Sequence, residues 1–151
     1  MKSGPRLARQ SPPSDRLGWD ADHRGTIGHL AQYNRLRTDS GPITDPERAK
    51  KESPFGGPVA HGFLTLSLLP GLSQSTLQVT GQGSTINYGA KSLRFLAPVP
   101  AGATLHARSR IAGAESKPKG TLLTTDIEVT VLGAEKPSLL YSMQLMYTAP
   151  R

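Results

Sequence analysis

The residues best suited to chemistry in this sequence are His61 and Gly62, which follow a loop rich in glycine and proline. They stand at the beginning of a short apolar segment that predicts a helix. The first backbone N–H groups of a helix have no intrahelical acceptor and lie at the positive end of the helix dipole. The N–H of Gly62 is therefore suited to stabilise a developing oxyanion. The alternatives are close helix packing for Gly62 and capping of the helix for His61.

The predicted helix runs from about Val59 to Leu69, and Pro70-Gly71 is expected to end or kink it. Its residues are apolar on nearly every side, which predicts a buried helix. A second helix is predicted to begin at Thr44, with Thr44 as its N-cap and Glu47 closing a capping box.

Alternation of apolar and polar residues dominates the rest of the chain. Such alternation predicts an antiparallel meander with one buried face. Gly89 is predicted to mark a bulge in the first of the strands. A helix followed by this meander predicts an α+β fold in which the sheet wraps around the helix. The predicted strands cover residues 86–95, 105–111, 123–131 and 141–147.

Composition excludes several classes of protein. The 151 residues include no cysteine, which excludes disulfides, thiolate metal sites and a thiol nucleophile. No apolar run is long enough to cross a membrane, and no leader is evident, so we expect a cytoplasmic protein without membrane partners. The net charge of +7 is spread along the chain and aromatic residues are only 5%, which argues against a nucleic-acid partner. No metal and no cofactor are expected.

Four blocks of sequence carry a resemblance to a known family. They are Thr-Asp-Pro-Glu-Arg-Ala (44–49), Pro-Phe-Gly-Gly-Pro-Val-Ala-His-Gly-Phe-Leu-Thr-Leu (54–66), Ile-Asn-Tyr-Gly (86–89) and Leu-Arg-Phe-Leu-Ala-Pro-Val-Pro-Ala-Gly (93–102). In this order and spacing they resemble the MaoC-like acyl dehydratases, the (R)-specific enoyl-CoA hydratases of hotdog fold. The resemblance covers about residues 44–148.

The resemblance implies a homodimer that binds acyl-CoA thioesters and adds water reversibly to a trans-2-enoyl-CoA. An Asp and a His share the proton transfers in this reaction, and the N–H of Gly62 polarises the thioester carbonyl. The acyl chain is expected in a tunnel near the dimer interface. Asn87, Tyr88 and Arg94 are candidate substrate-binding residues, the alternatives being a sheet contact for Asn87 and an ion pair for Arg94. Candidates for the pyrophosphate are Lys50, Lys51 and Lys91.

The chain departs from the family at the two residues that transfer protons. The family's Asp and His lie five residues apart, directly before the block that begins at Thr44. Here those positions hold Thr38 and Ile43, neither of which suits general acid–base chemistry. Asp39 is one residue away from the Asp position, without a histidine near it in sequence. Other histidines that could approach only in space are His23, His29 and His106.

The mismatch extends over the whole N-terminal segment, residues 1–43. Only one weak helix is predicted there, around Ile27 to Leu36, and the hypothesis is that the segment is disordered or translated out of frame. Residues 44–151 are predicted to form the hotdog domain. The functional alternatives are an enoyl-CoA hydratase, a catalytically inactive acyl-CoA-binding protein, the product of a degraded gene and, less favoured, a hotdog thioesterase.

Overall fold

The structure, a computed structural model, describes residues 6–9, 21–26, 45–72 and 77–150. Three helices lie within these ranges: α1 (Pro46–Glu52), α2 (Gly62–Ser67) and α3 (Leu69–Leu72). The strands are β1 (Arg6–Arg9), β2 (Ala21–Thr26), β3 (Leu77–Thr80), β4 (Thr85–Phe95), β5 (Thr104–Lys117), β6 (Gly120–Val131) and β7 (Leu139–Thr148).

Five of the strands form one antiparallel sheet in the order β2-β5-β6-β7-β4. Strands β1 and β3 pair separately with each other. The segments of alternating apolar and polar residues predicted a meander, and strands β5, β6 and β7 are indeed consecutive neighbours in the sheet. The α+β prediction is therefore confirmed.

Strands β1 and β2 lie within residues 1–43, where the sequence predicted no strand. Strand β2 pairs with β5 from Ala21 opposite Ser109 to Thr26 opposite Thr104. The predicted weak helix around residues 27–36, together with Thr38 and Ile43, falls outside the described residues. The division of the chain at residue 43 stays a prediction.

Helix α1 has Asp45 as its N-cap, so the prediction of Thr44 was wrong by one residue. An Asp45 side-chain oxygen accepts the backbone N–H groups of Glu47 at 3.0 Å and Arg48 at 2.9 Å. Pro46 occupies the first helical position, where its missing N–H costs nothing. Aspartate is a stronger N-cap than threonine, which accounts for the shift.

Helix α2 begins at Gly62, three residues later than predicted, because the residues before it pair with a loop. Val59 forms a β-bridge with Pro100, and the Ala60 N–H donates to the Val99 carbonyl at 2.8 Å. The helical path is interrupted at Leu68 and resumes as α3. Pro70-Gly71 lies inside α3 and does not end it, since a proline is tolerated in the first turn of a helix.

The core lies between these helices and the concave face of the sheet. Leu105, Val129 and Leu139 are fully buried there, and Leu64 and Leu69 contribute from the helices. Phe63 is 58% exposed, so the prediction that the helix is buried on nearly every side was wrong at this residue. Within the described ranges, every helix is too short or too polar to cross a membrane.

Candidate functional site

His61 caps helix α2, which was the structural alternative to a chemical role for this residue. Its backbone is extended, with φ −62° and ψ 139°, and its Nδ1 accepts the Phe63 backbone N–H at 3.3 Å. The imidazole also stacks on the Phe63 ring, with 5.9 Å between ring centroids. One ring nitrogen of His61, Nδ1, is therefore occupied by the cap of the helix.

The backbone N–H of Gly62 differs from those that follow it. The Phe63 N–H is satisfied by His61 Nδ1, and those of Leu64 and Thr65 donate to the His61 carbonyl at 2.9 and 3.2 Å. For the Gly62 N–H, no group in the described part of the chain acts as acceptor. As far as the described residues show, this N–H is the one in the first turn that remains available for another acceptor.

Close packing, the alternative for Gly62, is also present. The Phe95 ring lies against Gly62, and a Cβ at residue 62 would lie 2.8 Å from two of its ring carbons. Phe95 in turn contacts Phe63, with 5.7 Å between ring centroids. Sequence reasoning missed Phe95, because no local pattern connects the end of strand β4 to the start of helix α2.

A cavity of about 500 Å³ lies between the helices and the concave face of the sheet. Leu66 lines it from helix α2, one turn after Gly62 and on the same face of that helix. Asn87 and Tyr88, two predicted substrate-binding residues, both line it from strand β4. The remaining lining residues are Leu69, Pro70, Gly89, Ile127, Tyr141, Met143 and Leu145.

The rim of the cavity on β4 is shaped by a β-bulge. Asn87 lies opposite Leu145 and Gly89 opposite Gln144, which leaves Tyr88 as the extra residue. A bulge at an exposed edge re-aims the side chain that it carries. The predicted bulge at Gly89 is confirmed, and it places Tyr88 at the rim with 59% of its surface exposed.

Arg94 is not brought to the cavity. It lies opposite Leu140, whereas its neighbour Leu93 lies opposite the cavity residue Tyr141, so the two side chains point to opposite faces of the sheet. The lysines considered for a pyrophosphate, Lys50, Lys51 and Lys91, are exposed and do not line the cavity.

The chemistry of the cavity is that of an apolar binding site with few polar groups. Its polar side chains are those of Asn87, Tyr88 and Tyr141, and the described lining holds no carboxylate and no imidazole. Such a lining binds an apolar chain and orients it with a few hydrogen bonds. Its described residues supply no carboxylate or imidazole as a general acid or base, and the phenols in the lining are those of Tyr88 and Tyr141.

Comparison with known proteins places this arrangement in a family. The model of the MaoC like domain family matches residues 21–132, a range that begins with strand β2. A protein named 3-hydroxyacyl-thioester dehydratase Z, from Mycobacterium tuberculosis H37Rv, is 42% identical over 106 residues, which are 70% of each chain.

Two solved structures of (R)-hydratases share the architecture. PhaJ1 from Pseudomonas aeruginosa superposes with a TM-score of 0.61 at 25% identity, covering 87% of this chain and 79% of that one. The (R)-hydratase from A. caviae gives a TM-score of 0.63 at 22% identity, covering 88% and 98%. The predicted hotdog fold is thus confirmed, with α2 as the helix that the sheet wraps. The chain belongs to the MaoC-like dehydratase family.

Proposed function

We propose that this chain binds acyl thioesters of coenzyme A, with the thioester carbonyl at the Gly62 N–H and the acyl chain in the cavity. The observation that carries the proposal is the apolar cavity that Leu66 lines, because Leu66 lies one turn from Gly62 on the same face of helix α2. In the proposed arrangement the carbonyl oxygen accepts the Gly62 N–H and the acyl chain enters the cavity lined by Leu66. Membership of a family with dehydratases of acyl thioesters supports the same ligand.

Reversible hydration of a trans-2-enoyl-CoA is the second candidate function. It is favoured by the relative named 3-hydroxyacyl-thioester dehydratase Z, at 42% identity. Hydration requires a group that removes a proton and a group that delivers one, besides polarisation of the carbonyl. The positions that resemble the family's Asp and His hold Thr38 and Ile43. Binding without turnover is therefore the expected behaviour of this chain.

The proposed assembly is a homodimer joined along strand β4. This strand is at the edge of the described five-stranded sheet, and ten of its eleven residues are exposed. Three of them are large and apolar: Ile86, Tyr88 and Phe95, exposed by 50%, 59% and 45%. An exposed apolar edge strand of this length is a surface that pairs with another chain.

The proposal is tested by measuring binding and turnover on the same sample. Calorimetric titration with butyryl-CoA, with free CoA as the control, reports binding of the acyl group. Loss of the enoyl absorbance of crotonyl-CoA reports hydration. Butyryl-CoA binding without hydration supports the proposal, and turnover in the ordinary range of about 1–1000 per second supports the second candidate. Absence of any difference between butyryl-CoA and free CoA overturns both.

A further inference from the structure

The turn that follows helix α1 presents an aromatic ring to solvent. Phe55 is 52% exposed and does not line the cavity. Two hydrogen bonds hold the turn, since the Phe55 N–H donates to Ser53 Oγ at 3.2 Å and the Gly56 N–H donates to the Ser53 carbonyl at 3.1 Å. Gly56 has a φ of 72°, which glycine adopts without strain. The backbone therefore fixes the position of a ring that the core leaves exposed.

Basic side chains lie on the last turn of helix α1, directly before this ring. Lys50 and Lys51 are both exposed. Lys50 is paired with Glu47 at 3.3 Å, whereas Lys51 makes no ion pair with any described residue. The carboxylate next to it in sequence, that of Glu52, is paired with Arg48 at 2.9 Å. Lys51 is therefore a cation that can pair with a phosphate group.

A fixed segment of chain connects the aromatic turn with the start of helix α2. The Ala60 N–H donates to the Val99 carbonyl at 2.8 Å, so the loop before strand β5 holds this segment in place. Phe55 and Gly62 are seven residues apart, which limits the distance between their Cα atoms to about 25 Å. A long ligand whose thioester lies at Gly62 can therefore place its other end at the turn.

We infer that Phe55 and Lys51 bind the nucleotide half of coenzyme A, its 3′-phosphorylated adenosine diphosphate. The adenine stacks on the exposed Phe55 ring, and a phosphate group pairs with the Lys51 ammonium. The inference rests on the proposed function, which places the thioester at Gly62. It assigns a site outside the cavity to the half of the ligand that the cavity does not hold.

The test compares butyryl-CoA with butyryl-pantetheine, which has the same acyl thioester but no nucleotide. Both are titrated calorimetrically against the full chain, and neither titration depends on turnover. Butyryl-CoA should bind at least about fivefold more tightly, which is the lower end of the contribution of one base stacked on an aromatic ring. Added salt should reduce this difference only in part, because salt screens the phosphate contact more than the stacking.

Substitutions of the ring test the stacking. Phe55→Ala should weaken butyryl-CoA binding at least about fivefold and leave butyryl-pantetheine binding unchanged. Phe55→Tyr keeps an aromatic ring and should retain the affinity for butyryl-CoA. Leu132→Ala is the control for Phe55→Ala, since Leu132 is 51% exposed, nearly as much as Phe55, and follows strand β6. This control should bind both ligands as the parent does.

Substitution of the lysine tests the phosphate contact. Lys51→Ala should weaken butyryl-CoA binding by up to about fivefold at low salt, the range of an exposed ion pair, and should not affect butyryl-pantetheine. Lys119→Ala is the control, because Lys119 is an exposed lysine in the turn between β5 and β6. Equal effects of the two substitutions overturn the assignment of the phosphate to Lys51.

The outcomes separate this inference from the proposed function. Equal affinity for butyryl-CoA and butyryl-pantetheine overturns the nucleotide site, while binding of the acyl thioester stands. An equal change for both ligands in Phe55→Ala, or no change in either, overturns the assignment of the ring. Failure of butyryl-CoA to bind more tightly than free CoA, together with failure of butyryl-pantetheine to bind more tightly than pantetheine, overturns the proposed function.

Discussion

The ring of Phe95, the last residue of strand β4, lies directly against Gly62, the first residue of helix α2. A Cβ at residue 62 would lie 2.8 Å from Cδ1 and Cε1 of this ring and 3.0 Å from its Cγ. Folded proteins do not contain carbon contacts this short, so residue 62 must be glycine as long as the ring keeps its place. The contact joins the edge of the sheet to the helix end at which the Gly62 N–H has no acceptor among the described residues.

Gly62→Ala should therefore destabilise the fold and weaken acyl-CoA binding. The Cβ would push the Phe95 ring or the helix aside, a form of overpacking that typically costs about 1–3 kcal/mol. Phe95→Ala in the same chain removes the obstacle, so the double variant should be more stable than the sum of the two single changes predicts, by about 0.5–3 kcal/mol. Urea unfolding of the four proteins measures this coupling.

Gly71→Ala is the matched control for Gly62→Ala. Gly71 is also helical, and a Cβ there would meet nothing within 4 Å. Because alanine favours the helix by up to about 1 kcal/mol over glycine, this variant should be as stable as the parent or more so. Additive effects of Gly62→Ala and Phe95→Ala would show that the ring does not restrict residue 62.

Local pattern was sufficient for strands β4 to β7, but it missed strand β3 and was insufficient for the site. Alternation in residues such as Ile127 and Val129 identifies a strand and its buried face. It contains no information on the tertiary contact that places the Phe95 ring against Gly62. Gly89 likewise signalled a bulge in β4, whereas only the register with β7 shows that Tyr88 is the extra residue.

Strand β2 illustrates a different limit of sequence reasoning. Its residues, Ala-Asp-His-Arg-Gly-Thr, show no apolar alternation and include a glycine. The strand exists because its backbone pairs with the edge of β5, and such pairing overrides weak local preference. A polar edge strand of this kind has no signature in hydrophobic periodicity, which is why only a weak helix was predicted in the N-terminal segment.

The cap made by His61 predicts a difference between two substitutions at this position. His61→Ala removes the acceptor of the Phe63 N–H and should cost about 0.5–2 kcal/mol. That cost corresponds to a decrease of several degrees in Tm, at about 2–4 °C per kcal/mol for a chain of this size. His61→Asn keeps a side-chain acceptor and should retain most of the stability and the acyl-CoA affinity. A loss of binding in a stable His61→Asn variant would instead assign His61 to the ligand.

The partly buried ion pair of Arg108 and Glu128 should stabilise the fold more than an exposed ion pair does. The side chains are only 24% and 16% exposed, and Thr130 Oγ1 also donates to Glu128 Oε1 at 3.4 Å. Glu128→Ala takes the carboxylate away from a partly buried guanidinium and should cost roughly 1–3 kcal/mol. Glu47→Ala is the control, because its pair with Lys50 is exposed by 81% and 65% and should contribute less than about 1 kcal/mol. Equal losses of unfolding free energy for Glu128→Ala and Glu47→Ala, measured in urea, would show that burial does not strengthen the Arg108–Glu128 pair.

Burial of Tyr147 predicts a loss of stability in alkaline solution. Desolvation raises the pKa of this phenol above its ordinary value of 10.0. The unfolded chain therefore releases this proton first, and as the pH rises above about 10 the unfolded state is favoured until the folded phenol also ionises. Tyr147→Phe removes this contribution, so its free energy of unfolding should fall less steeply as the pH rises above about 10. If the unfolding free energies of the parent and Tyr147→Phe fell equally with pH, Tyr147 would make no contribution to alkaline destabilisation.

Strand β4 predicts the state of association of the chain. Ile86→Lys places a charge on the exposed edge, which opposes pairing with a second strand. Sedimentation velocity should then show a dimer for the parent chain and a monomer for the variant. Leu132→Lys is the matched control, since Leu132 is 51% exposed, about as much as Ile86, but lies outside β4. The control should remain dimeric. A monomeric parent, or a dimer that tolerates Ile86→Lys and is lost with Leu132→Lys, would place the interface away from this edge.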